Sequence, residues 1–445
     1  MKNRRAFLKS ASIGLSAFAL GPQTIFATAK NYKRIIGSNE RINVGLVGLG
    51  RRYGGFIPAI AKSSNNIHLQ YLCDVMKKQR ENAAKNVENQ VGYMPQLEND
   101  IRKMLEDPTL DAIFNATPDH WHTPGSIMAL NSGKHVYVEK PCSHNMEENN
   151  WLVDAQKKTG LVVQMGNQQR SSYHTKEIIN AIHKGIIGNP FKAVAFYSNS
   201  RGEVPNQTPA PIPEGLDWDL FQGPAIRRNY THNTWDYNWH WYGWDYGTAE
   251  AGNNGTHEMD VARWALQVDY PIHAKVAANK NHFTNDGWEM YDTMLAEFTF
   301  ENQKTIQWDS KSRNGYSTYG ADRGVIVYGS EGTVFVNRNK YILHDRSGKV
   351  IREVSSLGTE AGTALGGGGD MTTAHLENFF QTIRGLDQLN APIDDASISM
   401  AMVHYSNVAY RIGEGFEIDQ TGRMLSRKAM EFWGREYEKG WKPSF

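Results

Sequence analysis

Residues 42–54 read Ile-Asn-Val-Gly-Leu-Val-Gly-Leu-Gly-Arg-Arg-Tyr-Gly, an apolar run that breaks into Gly48, Gly50 and Gly54. A helical segment follows, then a second apolar strand, His68 to Cys73, closing on Asp74. Few folds accept a strand, a glycine turn, a helix, a strand and an acid in that order. It is the order of a dinucleotide site. Gly48 allows the tight turn, and Gly50 lets the backbone approach a pyrophosphate. The helix N-terminus offers unpaired N–H groups and a partial positive charge to the phosphates. Asp74 can accept hydrogen bonds from both ribose hydroxyls. A carboxylate there repels a 2′-phosphate, which favours NAD over NADP. The third glycine stands at Gly54, one residue later than the fingerprint places it.

The N-terminus points to a compartment. Asn3-Arg4-Arg5-Ala6-Phe7-Leu8-Lys9 is a twin-arginine run. An uncharged stretch from Ser10 to Phe26 follows, then Ala27-Thr28-Ala29, a small-x-small cleavage signal. Residues 1–29 are therefore expected to be a signal peptide for export, with the periplasm as destination. The apolar stretch is too short to span a bilayer, so no stable membrane insertion is expected. Twin-arginine export carries folded proteins, so a nucleotide would be loaded before export. With no free pool outside, it must stay bound, at on the order of nanomolar affinity or about −12 kcal/mol.

Lys plus Arg number 48 against 47 Asp plus Glu, which leaves no basic surplus for nucleic acid. At 445 residues and 40 % hydrophobic content the chain can bury two ordinary cores. Cys73 and Cys142 are too few for a disulfide framework or a metal set and are read as packing residues.

After a polar arm, residues 30–40, strands and helices alternate. Strands are expected at Ile42–Val47, His68–Cys73, Ala112–Ala116, Val136–Glu139 and Leu161–Met165, with helices beginning near Tyr53, Met76, Asp100, Thr123 and Met146. Continuous apolar strands between helices indicate a doubly wound parallel sheet, here residues 41–166. Residues 167–445 read differently. A helix, Tyr173 to Lys184, leads into alternating strands at Lys192–Asn199, Thr293–Phe300, Thr305–Trp308, Gly324–Tyr328, Thr333–Asn337 and Lys340–His344. Gly329-Ser330-Glu331-Gly332 reads as a hairpin turn. The fold expected is therefore α/β: a Rossmann sheet, then an α/β domain with a largely antiparallel open sheet. Gly366 to Gly369 reads as a surface loop before a helix, Ala374 to Arg384, capped by Asp370 to Thr373.

Four stretches could carry chemistry. The strand from Ala112 opens into Thr117-Pro118-Asp119-His120-Trp121-His122, beyond the carboxyl end where open parallel sheets bind ligands. Thr117, Pro118, His120, Trp121 and His122 are candidates for cofactor contact, as are Arg51 and Arg52 in the glycine turn, Glu139 and Lys140 at the next strand end, and Gln168. The alternative is helix capping with a packed indole. Glu139-Lys140-Pro141 ends the next strand. A partly desolvated lysine beside a cationic nicotinamide would have a lowered pKa and could shuttle a proton. Such a Lys-Pro is also common on plain surfaces. Gly252-Asn253-Asn254-Gly255-Thr256-His257 leads into a helix with Asp260 one turn on. His257 there can take a hydroxyl proton, or can be a satisfied histidine beside a capping turn. A metal site of His257, Glu258 and Asp260 lacks a second histidine cluster, and no metal is expected. Residues 218–246 are crowded with aromatic side chains, among them Trp241, Trp244 and Tyr246. Aromatic faces stack on sugars, and such a cluster also supports a long loop. Candidates for substrate contact are Arg170, Trp241, Trp244, Tyr246, Asn253 and Asp260.

The glycine turn with Asp74, Thr117-Pro118 with His122, Glu139-Lys140-Pro141, and Gly255-Thr256-His257 with Asp260 together resemble the Gfo/Idh/MocA oxidoreductases. His375-Leu376-Glu377-Asn378-Phe379 also resembles the family's late helix. The resemblance covers residues 41 to about 415. It implies Lys140 and His257 as catalytic residues, NAD as the cofactor, a small carbohydrate substrate and homo-oligomers. Where many members carry Asp, four residues before the histidine, this chain has Asn253. The activity implied is oxidation of a secondary hydroxyl, at C3, of a sugar or glycoside. One alternative is redox-neutral glycoside hydrolysis through oxidation, elimination, hydration and reduction, which requires no carboxylate pair. Another is a non-catalytic carbohydrate-binding or sensing protein with a structural dinucleotide.

Overall fold

The computed structural model describes residues 41–355 and 369–444. The expected signal peptide (1–29), the arm (30–40) and Gly366 to Gly368 of the glycine loop lie outside the described residues. Among the described residues, β1 (Ile42–Val47), β2 (Ile67–Cys73), β3 (Gln96–Glu98), β4 (Ala112–Asn115), β5 (His135–Val138) and β6 (Val163–Met165) form one sheet. All pair in parallel, in the order β3-β2-β1-β4-β5-β6. Val44 stands between Leu69 and Ala112. Helices cover both faces of such a sheet, which is why its central strands are apolar without alternation. The polar edge strand β3 has no apolar run to announce it. Strand order reverses between β1 and β4, and a crevice opens there beyond the carboxyl ends.

The helix expected from Tyr53 is much reduced. A 3₁₀ turn, Tyr53–Gly55, runs into a five-residue helix, Ile57–Ala61. Cys73 and Cys142 are both buried and unpaired, and burial pushes the Cys142 thiol up to about 12.

The second sheet contains β7 (Pro190–Ser200), β8 (His273–Asn279), β9 (Thr293–Thr299), β10 (Thr305–Lys311), β11 (Arg313–Asn314), β12 (Arg323–Gly329), β13 (Gly332–Val336), β14 (Lys340–Asp345), β15 (Val350–Ser355) and β16 (Phe416–Glu417). Its order is β15-β14-β13-β12-β7-β10-β9-β8-β16, with β11 paired to β7. Only β7 and β10 run parallel. Gly329 to Gly332 joins β12 to β13 as an antiparallel hairpin. Along β10 burial alternates, with Ile306, Trp308 and Ser310 turned inward, the mark of a sheet packed on one face. The helix Thr256–Leu266 packs across β7 and β12 on that face. β8 and β15 were not expected, since β15 is almost entirely exposed and β8 alternates weakly.

One helix does not stay with its neighbours in sequence. Gly369–Ile383 starts before the expected Ala374, and it buries Leu376, Phe379 and Phe380 with Phe114 and Tyr137 of the first sheet and with Phe56, which precedes the short helix Ile57–Ala61. Phe114 and Phe379 lie 5.9 Å apart between ring centroids. His375 pins this helix, bonding the Met165 carbonyl at 2.9 Å and Ser171 Oγ at 2.6 Å.

Candidate active site

The crevice widens into a cleft of about 600 Å³ bounded by both sheets. Its first wall is the glycine turn. Gly48 has φ +85°, and a Cβ there would stand 2.5 Å from the Ala116 carbonyl, so only glycine fits where β1 leaves the sheet. Gly50 opens onto free space. No protein acceptor among the described residues takes the backbone N–H of Gly50, Arg51 or Arg52. Asp74 closes the turn. Its two oxygens accept from the N–H of Leu49 at 2.7 Å and of Met76 at 2.8 Å. Burial raises its pKa, against those bonds and Arg80. Asp74→Ala should weaken NAD by about tenfold or more and, by leaving two N–H groups unpaired, lower ligand-free stability by about 1–3 kcal/mol. Isothermal titration and urea unfolding check the two effects separately. Unchanged NAD affinity would remove Asp74 from the nucleotide site.

The second wall is the end of β5. Glu139 accepts from Arg52 Nε at 2.7 Å and Gln168 Nε2 at 3.0 Å. Burial alone would raise this carboxyl, but Arg52 and then Lys140 hold it below the usual range. A Cβ on Gly166 would meet the same carboxylate at 2.9 Å, so the close approach needs that glycine. Lys140 Nζ donates to the Asn253 carbonyl at 2.7 Å. Burial pulls its pKa down, while Glu139 and Asp119 oppose. Burial raises Asp119 to about 6, although Thr248 Oγ1 donates to it at 2.6 Å. His122 donates from Nδ1 to the Pro141 carbonyl at 2.6 Å. Its Nε2 is buried without a partner, and burial holds the ring near 4. A buried orphan nitrogen at a cleft wall fits contact with a ligand.

The third wall belongs to the second domain. A π-helical turn, Ala251–Gly255, feeds the helix Thr256–Leu266 and sets His257 into the cleft. Such turns cluster at functional sites. Burial, then Arg338, Lys140, Arg323 and Arg52, hold His257 well below its ordinary pKa. The ring is therefore neutral near pH 7. Asn253 itself donates from Nδ2 to Glu250 at 3.4 Å, a buried carboxylate that also pairs with Arg201 at 3.2 Å.

The structure thus gathers Gly48, Gly50, Arg51, Arg52, Asp74, Thr117, Pro118, His122, Glu139, Lys140, Gln168, Asn253 and His257 around one space. It places other candidates elsewhere. His120 and Trp121 are buried on the Phe221 carbonyl, at 2.9 Å each, as packing residues. Arg170 and Asp260 form a bidentate pair at 2.8 Å, with Ser399 on Asp260 and Asp395 on Arg170, so neither side chain faces the cleft. Tyr246 lies in a satellite core with Trp218 and Phe221. Trp244 lines a separate cavity under Arg411. Trp241 is fully buried, stacked on Trp288 at 3.8 Å. Aromatic density marked the right region, but the rings of it that reach the cleft are Phe221, Trp235, Tyr237, Trp239 and His240. Replacing Trp241 by Ala should lower stability by about 3–5 kcal/mol through the cavity it leaves. A urea midpoint unchanged in that variant would show the ring is not a core pillar. Tyr197, Arg323 and Arg338 also line the cleft, and no local motif marks them, since β7, β12 and a hairpin turn carry them there. Among the described residues no group of three or more His, Cys, Asp or Glu side chains is placed to hold a metal.

Residues 42–167 match the family model of oxidoreductases with an NAD-binding Rossmann fold, and residues 172–431 match the C-terminal alpha/beta domain of the same family. A myo-inositol 2-dehydrogenase of Thermotoga maritima is 22 % identical over 311 residues, 69 % of this chain and 79 % of that protein. A glycosyl hydrolase family 109 protein of Saccharopolyspora erythraea is 26 % identical over 217 residues, 45 % of this chain and 47 % of its own length. The structure of a levoglucosan dehydrogenase complexed with NADH and levoglucosan superposes with a TM-score of 0.62 at 18 % identity, covering 85 % of this chain and all of that one.

Proposed function

The chain belongs to the Gfo/Idh/MocA oxidoreductase family, and we propose that it oxidises a secondary hydroxyl, at C3, of a sugar or glycoside. The observation that carries this reading is the meeting of Lys140, from the first domain, with the backbone one turn before His257, from the second, in one cleft. The glycine turn with its free N–H groups, Asp74 and the orphan nitrogen of His122 fit a dinucleotide. NAD supplies the hydride acceptor when bound. Neutral His257 takes the proton of the substrate hydroxyl at a ring nitrogen. Lys140, fixed by the Asn253 carbonyl, donates to the same oxygen as charge develops on it. Trp235, Tyr237 and Trp239 offer faces for the sugar and limit water. The nucleotide is tightly held, and re-oxidation needs a second carbonyl substrate.

The similarity to a glycosyl hydrolase family 109 protein supports a second reading, redox-neutral glycoside hydrolysis. Incubation of purified protein with aryl glycosides separates the two. Oxidation gives a ketosugar with net NADH, and hydrolysis gives free sugar without it. Neither product would leave a carbohydrate-binding protein with a structural dinucleotide as the better account. Export through the twin-arginine signal at Arg4-Arg5 is part of the same proposal, supported by the uncharged stretch that follows. So is homo-oligomerisation, a family habit that light scattering tests. Among the described residues no helix is long and apolar enough to cross a membrane.

A further inference from the structure

Five arginines line the cleft, and four have partners. Arg51 lies over the Tyr237 ring at 4.0 Å, Arg52 pairs with Glu139, Arg201 with Glu250, and Arg323 with Glu258. Arg338 has no carboxylate within ion-pair distance among the described residues, and its Nε is buried without a hydrogen bond. The residue is not loosely placed. It sits in the turn between β13 and β14, where Asn337 Oδ1 accepts from the N–H of Asn339 at 2.9 Å and of Lys340 at 3.0 Å. His174 Nε2 donates to the Asn337 carbonyl at 2.8 Å. Glu258 acts on it electrostatically but is already engaged by Arg323, so the fold holds an under-compensated guanidinium at the cleft, which is unfavourable unless an anion joins it.

We infer that Arg338 receives an oxyanion carried by the substrate, so that the cleft is built for an acidic carbohydrate bearing a carboxylate or a phosphate. This rests on the carbohydrate reading above. A guanidinium fork matches both anions in shape and donors. Burial and then Arg323 pull Arg338 down to about 9. After burial, Arg338 is also the foremost influence depressing His257. One anion relieves both and makes the proton acceptor more basic only when the right substrate is bound. The nucleotide phosphates are a less fitting source, because the glycine turn offers its own N–H groups while Arg338 is borne by the other sheet, beside Arg323.

The test uses the full NAD-loaded protein and three probes: methyl glucuronide, methyl glucoside and glucose 6-phosphate. Calorimetry reads binding and NADH absorbance reads oxidation. At least one acidic probe should bind tenfold or more tighter than the glucoside, and which one does identifies carboxylate or phosphate. Arg338→Gln should weaken that acid by about tenfold to a hundredfold and leave glucoside and NAD affinities unchanged. Arg338→Lys should recover part of the loss. Equal binding of acidic and neutral probes by the wild type overturns the inference. So does a selective loss of NAD in Arg338→Gln, which would assign the anion to the cofactor. Arg338-dependent acid binding without NAD reduction supports the inference and counts against the oxidoreductase reading. Oxidation of the glucoside with no preference for either acid does the reverse.

Discussion

Replacing His257 or Lys140 by Ala should slow reduction of bound NAD by roughly two orders of magnitude or more, the usual worth of a positioned acid–base group. The geometry sets further conditions. Lys140 Nζ is anchored to the Asn253 carbonyl, so both groups answer to the same short π-helical segment. If both act on one hydroxyl, the double variant should lose little more than the worse single one. Neither variant should empty the nucleotide site, because neither residue belongs to the glycine turn. Single-turnover absorbance in the NADH band, with a C3-deuterated glycoside to isolate hydride transfer, measures all of this. Wild-type rates in His257→Ala would move the proton acceptor elsewhere. Wild-type rates in both variants would end the enzymatic reading.

Acid should unfold this protein early. His122 and His375 are held near 4 and His404 near 3, each by burial first, against an ordinary value of 6.5. All three are buried neutral, and His404 Nε2 is bonded to Ser143 Oγ at 2.8 Å. The folded pKa values lie below the unfolded ones, so the unfolded chain binds protons first as pH falls. Stability is complete above about 6.5 and is lost progressively down to about 4. Each histidine contributes a slope of about 1.4 kcal/mol per pH unit, so three together give about 4. A fold in the lower half of the usual range of about 5–15 kcal/mol, about 5–10, should fail within about one to two and a half pH units. Urea unfolding of the nucleotide-free protein at pH 7, 6 and 5 gives the slope. Equal midpoints at pH 7 and 5 would contradict it, and His404→Gln should flatten the curve by one proton.

The two kinds of residue in these predictions differ in how far the chain alone announces them. Lys140 and His257 stand at marked places, the strand end before Pro141 and the glycine-rich entry to a helix, but those places also suit plain surface or capping residues, and it is the family resemblance that singles the two out. The glycine turn is legible for a stricter reason, since Gly48 occupies a backbone conformation and a contact distance that no side chain tolerates. The six-stranded parallel sheet follows from apolar strands that need cover on both faces. Its polar edge strand β3 and the exposed β15 escaped because strands read by burial pattern vanish where there is little burial.

Sequence alone determined the α/β architecture and the glycine turn, because local backbone geometry and periodicity constrain residue type there; it marked Lys140 and His257 at element ends, and only the family resemblance joined them as a pair. Only the tertiary structure decided which aromatic rings and which charges face the cleft. Trp241 and Trp239 stand two residues apart in one crowded loop, yet one is a core pillar and the other a cleft wall. Arg170 and Arg338 are alike in type, yet the first is consumed by Asp260 and Asp395 while the second is left unpaired. Partners from remote segments set those fates. The same holds for the helix Gly369–Ile383, which returns across the chain to close the first domain's core. Burial and pairing are properties of the assembled fold, and no local spacing encodes them.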